Sequence, residues 1–110
     1  MADHQSFESI QYAVANGVAV LTLNRPETLN SFTVAMHREV QVAMQDVRTN
    51  PEVRCLLLTG AGRGFCAGQD LNDRAVKVTD EALDEAPDLG ESVDNYYNPL
   101  IRGIMGLDKP

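Results

Sequence analysis

The sequence predicts an α/β fold, on three observations read in chain order. Two short alternating apolar runs flank an Asn-Gly pair, one stretch carries apolar residues at helical spacing, and a buried apolar run opens into a glycine-rich loop. The formal net charge is -7, and 44% of the 110 residues are hydrophobic. That is enough for one small core and leaves room for at most one domain. Nothing resembles the basic stripe that displaces counterions from nucleic acid, so that partner class is set aside. No apolar stretch approaches the roughly 20 residues that span a bilayer. The first residues, Met-Ala-Asp-His-Gln-Ser, lack the basic start and apolar centre of a signal peptide. A cytoplasmic protein without a membrane partner is expected.

Ile10, Tyr12 and Val14 alternate with Gln11 and Ala13. Asn16-Gly17 then supplies a tight turn, and Val18 to Leu23 returns as a more apolar strand, giving a hairpin. Asn24-Arg25-Pro26 ends it, because proline cannot donate to a ladder and turns Arg25 away from helix. Next, Phe32, Met36, Val40, Ala43, Met44 and Val47 fall three or four apart, the signature of one amphipathic helix. Asn30, Ser31 and Thr33 are candidate N-caps, and Asn50-Pro51 is the stop signal. His37 is assigned to the polar face. Val53 to Thr59 reads as a buried strand, parallel to the second hairpin strand through a right-handed crossover. The glycine loop beyond it therefore lies at the carboxyl end of a parallel strand, where open α/β sheets bind ligands.

From Ala75 to Glu91 acidic residues crowd around Pro87 and Gly90, which reads as a mobile surface segment or a lid. Val93, Tyr97, Leu100, Ile104 and Leu107 then resume a helical period, with Ser92 as a possible cap. Pro99 must kink that helix or mark a restart after Asn98.

Familiar chemistries fail in the glycine loop. A dinucleotide fingerprint beginning at Gly60 needs its third glycine at position 65, which is Phe65, and no Gly-Lys-Ser/Thr closes a phosphate loop. Neither a nucleophile elbow nor a triad is present. Two histidines and two cysteines without ligand spacing make no metal site. Cys55 and Cys66 suggest no disulfide, and Phe65 is assigned to the core. What remains is the backbone, whose N–H groups glycine leaves accessible to a ligand.

The order of strand, Asn24-Arg25-Pro26, Leu29-Asn30-Ser31, helix, strand and Gly64-Phe65-Cys66-Ala67-Gly68-Gln69-Asp70-Leu71 resembles the N-terminal part of the enoyl-CoA hydratase/isomerase, or crotonase, superfamily. The resemblance implies a ββα spiral fold. Residues 1–110 would form the N-terminal portion of one domain: a ββαβ core and CoA loop over 1–74, an acidic loop over 75–91 and a helix over 92–107. It also implies an acyl-CoA substrate whose thioester oxygen lies between two backbone N–H groups, one of them from Gln69, so that an enolate is stabilised. Ala67, Asp70 and Leu71 would line the adenine end of a bent CoA, with Arg25 and Leu29 approaching from the preceding loop. Arg25 reads alternatively as a surface cation beside a turn, and Leu29 and Leu71 as packing residues.

Within the superfamily, Asp70-Leu71-Asn72-Asp73-Arg74, Pro87-Asp88-Leu89-Gly90-Glu91-Ser92-Val93 and Tyr97-Asn98-Pro99-Leu100-Ile101-Arg102 look like the phenylacetate-degrading isomerases that convert ring-1,2-epoxyphenylacetyl-CoA to oxepin-CoA. The alternatives are an enoyl-CoA hydratase or Δ3-Δ2 enoyl-CoA isomerase of β-oxidation and, for the 110 residues alone, a non-catalytic CoA-binding fragment. The resemblance implies no metal and no cofactor beyond the CoA of the substrate. It also implies a trimer or hexamer, with the second oxyanion donor and the acid/base carboxylates beyond Pro110.

Overall fold

In the computed structural model, which describes residues 7–73 and 93–110, strands β1 (Ile10–Ala15) and β2 (Val18–Leu23) form an antiparallel hairpin. Asn16 and Gly17 both take positive φ, 54° and 82°, the torsions with which a two-residue turn follows the twist of its strands. The register pairs Ile10 with Leu23 and Ala15 with Val18. It places Ile10 and Tyr12 of β1 and Ala19, Leu21 and Leu23 of β2 in the core, as the two-residue period of a half-covered sheet requires.

Helix α1 (Val34–Thr49) buries Met36, Val40, Ala43, Met44 and Val47. Thr33 is the cap, its hydroxyl accepting from the Met36 N–H at 3.1 Å, and Asn50 ends the helix. Two acidic side chains on the shoulder of α1 join it to β1. The Glu39 carboxylate accepts from the Ser9 N–H at 2.8 Å, and Asp46 from the Tyr12 hydroxyl at 2.7 Å.

Strand β3 (Cys55–Gly60) pairs in parallel with β2, from Val18 opposite Cys55 to Leu23 opposite Gly60. The sheet order β1-β2-β3 makes β2 the central strand. After a π-helical turn (Val93–Tyr97), helix α2 spans Asn98–Met105. Pro99 sits in the first turn of α2, directly after the π-helical turn, and Tyr97 keeps right-handed helical torsions, so the proline marks the change from π to α geometry within a continuous helical path. Tyr97, Leu100, Ile104 and Leu107 pack against the core. The Lys109 ammonium then donates to the Val47 and Asn50 carbonyls at 2.7 and 3.0 Å, groups that the end of α1 leaves without helical partners.

Three assignments made from sequence are corrected. The strand expected to be buried is only partly covered, with no buried residue in Cys55–Gly60 and Leu57 exposed, because among the described residues β3 lies at the edge of the sheet. His37 is buried at 2% exposure, because the rings of Phe32, Tyr96 and Tyr97 surround it. Phe65 is 55% exposed. A Cβ on Gly60 would meet the Phe65 carbonyl oxygen at 2.5 Å, so the backbone of Phe65 lies against the end of β3 and its ring is turned outward. The tail with Asp3 and His4, the acidic segment 75–91 and the proposed Ser92 cap lie outside the described residues. No helix among the described residues is long and apolar enough to cross a membrane.

Candidate functional site

Because β2 and β3 run parallel and end opposite one another at Leu23 and Gly60, the two loops that follow them emerge side by side. The first holds Asn24 to Thr33, with a 3-10 turn at Pro26–Thr28; the second runs from Ala61 to Asp73. Arg25, Leu29, Ala67, Gln69, Asp70 and Leu71 all fall on these two loops, at the carboxyl edge of the parallel pair, the side on which open α/β sheets bind ligands.

Asn30 joins the loops. It is fully buried at φ 59°, a left-handed conformation that asparagine tolerates better than most residues. Its Oδ1 accepts from the Arg25 N–H at 2.7 Å, and its Nδ2 donates to the Ala61 and Gly64 carbonyls, each at 2.9 Å. The Ala67 N–H donates to the Leu29 carbonyl at 3.0 Å. The Arg25 guanidinium reaches the Asp70 carboxylate at 3.0 Å, with side-chain exposures of 19% and 12%, and donates to the Ser31 carbonyl at 2.5 Å. Arg25 is thus a loop-to-loop tie, and each charge of the pair is compensated by the other. Asp70 also accepts from the Asn72 N–H at 2.8 Å, and Asp73 accepts from the Val34 N–H at 2.7 Å at the start of α1.

Gln69 occupies the centre of a one-residue parallel bridge with Phe32. The Phe32 N–H donates to the Gly68 carbonyl at 2.7 Å, and the Asp70 N–H to the Phe32 carbonyl at 2.8 Å. The bridge therefore uses the groups on either side of Gln69 and leaves Gln69's own N–H without a hydrogen-bond partner among the described residues. The geometry follows from peptide planarity. The Gly68 carbonyl and the Gln69 N–H belong to one trans peptide group and point in opposite directions, so anchoring the first on Phe32 aims the second away from it. Gly68 reaches this arrangement at φ 106°, a torsion essentially restricted to glycine. An open N–H of fixed direction can stabilise negative charge developing on a carbonyl oxygen without reorganising.

The side chain of Gln69 is held separately. The Tyr97 hydroxyl donates to its Oε1 at 2.9 Å. The Tyr97 ring lies 5.9 Å from that of Phe32 and meets the His37 ring edge-on at 4.4 Å. Burial, and secondarily the charge of Cys66, push the Tyr97 hydroxyl up to about 12, so it remains a proton donor at neutral pH. Burial lowers His37 to about 4 and keeps its imidazole neutral, and its Nε2 has no hydrogen-bond partner among the described residues. Both cysteines are free. Among the described residues, no three histidine, cysteine or acidic side chains are grouped to hold a metal ion.

The sequence reading missed Asn30 as a clamp, Asp73 as a second helix-capping group, and the contact of Tyr97 with Gln69. Asn30 carried a faint signal as a small polar residue in a tight loop. Tyr97 carried none, because its partner is 28 residues away.

A family model described as enoyl-CoA hydratase/isomerase matches residues 13–106. The 1,2-epoxyphenylacetyl-CoA isomerase of Escherichia coli (strain K12) is 55% identical over 94% of this chain and 38% of its own length. A probable enoyl-CoA hydratase of Rhodobacter capsulatus is 37% identical over 96% of this chain and 37% of its own length. Among solved structures, an enoyl-CoA hydratase of Mycobacterium marinum superposes with a TM-score of 0.72 at 37% identity, covering 94% of this chain and 46% of that one. The chain thus spans less than half the length of these relatives.

Proposed function

The chain belongs to the enoyl-CoA hydratase/isomerase family, and we propose that the complete protein isomerises an acyl-CoA thioester, with the backbone N–H of Gln69 as one of two donors to the thioester oxygen. The observation that carries this reading is the Gln69 amide, left unpaired among the described residues and aimed away from Phe32 by the bridge. Polarising the thioester carbonyl makes the adjacent carbon more acidic and stabilises the enolate formed when its proton leaves. One preorganised donor of this kind is worth roughly 3 kcal/mol in the transition state.

In this reading Leu29, Ala67 and Leu71 wall the adenine end of CoA, and Arg25 and Asp70 contribute a neutralised pair. CoA enters as part of the substrate, and no other cofactor is invoked. The Asp70 and Asp73 carboxylates are engaged with Arg25, the Asn72 N–H and the Val34 N–H, so neither is assigned as the general base. The complete protein is proposed to work in the cytoplasm as a trimer or a pair of trimers.

The relative at 55% identity supports a ring epoxide as substrate. Conversion of ring-1,2-epoxyphenylacetyl-CoA to oxepin-CoA is a rearrangement that adds and removes no atoms, which suits a site built to stabilise charge. The Rhodobacter relative supports the rival, hydration of an enoyl-CoA. Supplying the complete protein with each substrate separately decides between them. Consumption of the epoxide with slow or absent hydration of crotonyl-CoA is expected; rapid hydration with the epoxide untouched overturns the isomerase reading.

A further inference from the structure

Three contacts form a circuit around Gln69. The Phe32 backbone bridges the residues on either side of it, the Phe32 ring packs on Tyr97, and the Tyr97 hydroxyl returns to the Gln69 side chain. The peptide that carries the Gln69 N–H has one backbone hydrogen bond of its own, from Phe32 to the Gly68 carbonyl at 2.7 Å. Steric restraint at Gly68 is weak, since no atom would lie within 4 Å of a Cβ placed there. The bridge sets which way this peptide faces, and the anchored Gln69 side chain restrains its remaining tilt about that bond.

We propose that Tyr97 is a positioning residue for the Gln69 amide, its hydroxyl holding the Gln69 side chain and thereby the orientation of the open N–H between the two loops. The rings of Phe32 and His37 fix the tyrosine in turn. Its catalytic consequence rests on the isomerase reading above, whereas the mechanical link does not.

The test uses the complete protein with Tyr97→Phe, Gln69→Leu and the double variant, because Phe keeps the ring and removes only the hydroxyl. Hydrogen exchange at the Ala67 and Asp70 amides, both hydrogen-bonded in the loop, is expected to accelerate about fivefold in each variant, the worth of one lost hydrogen bond. On the epoxide substrate, kcat is expected to fall about fivefold with KM within about twofold, the pattern of an interaction realised in the transition state. The double variant should be no slower than Gln69→Leu alone, which loses the Tyr97 contact together with the 3.3 Å bond from the Gln69 Nε2 to the Asp70 carbonyl. Unchanged exchange in Tyr97→Phe overturns the proposal, as does a double variant whose losses multiply. Should Tyr97→Phe fold poorly, Gln69→Leu alone must still reproduce the faster exchange. A wild-type protein inert toward every acyl-CoA sinks the functional reading instead, and the exchange measurement still decides the positioning.

Discussion

Replacing Asn30 probes the junction between the two loops most directly. Asn30→Ala removes three hydrogen bonds, to the Arg25 N–H and the Ala61 and Gly64 carbonyls. At about 1 kcal/mol each they total about 3 kcal/mol. Alanine must also hold φ 59°, which adds about 1 kcal/mol, for an expected loss of about 4 kcal/mol. Asn30→Gly loses the same bonds without the torsional strain, so it should be the more stable variant, by about 0.5 kcal/mol once glycine's larger unfolded-state entropy is subtracted. Asn30→Asp is isosteric and retains the acceptor for Arg25, but it sets a carboxylate oxygen against two carbonyls and should rank with alanine or below. Urea unfolding of the complete protein, followed by circular dichroism and fitted for the midpoint and slope, gives the differences. A loss below about 1 kcal/mol in Asn30→Ala, or an alanine variant more stable than the glycine one, refutes the view that this side chain locks the loops in a left-handed conformation.

Two further expectations follow from the charges. Asp70→Asn and Arg25→Met should show a coupling of about 1–2 kcal/mol in a double-mutant cycle, well above that of an exposed pair, because both partners are largely shielded from solvent; additive losses would remove the pair from the account. His37 has a folded value of about 4, below its ordinary 6.5, so the unfolded chain binds the extra proton between those values. Stability should accordingly fall as pH drops from about 6.5 to about 4. Denaturant midpoints for His37→Phe, which keeps a ring in the aromatic cluster, should lose that part of the slope, and an unaltered pH profile would contradict the assignment.

Much of the chain was legible where local chemistry and tertiary packing agree. Asn16-Gly17 encodes its hairpin through torsions these two residues take readily, and the core stripe of α1 follows from spacing alone. Legibility ended where distant segments decide. His37 lies beside Met36 on the helix, and its burial depends on rings at positions 96 and 97 that no local period reveals. Phe65 is apolar and adjoins a strand, yet the close approach of Gly60 to its backbone leaves the ring no inward path. The loop residues of the candidate site were readable by resemblance, whereas the lacing between them, above all Asn30 and Tyr97, required coordinates.

The bridge at Phe32 and Gln69 has an arithmetic consequence. Successive N–H groups along an extended strand alternate in direction, so whether position 69 faces outward is a matter of odd or even count from the anchored neighbours. Any side chain compatible with the fold leaves that parity intact. Inserting or deleting one residue between Gly68 and Asp70 would turn the exposed donor inward and present a carbonyl in its place, so chain length is more tightly constrained here than the identity of the residue.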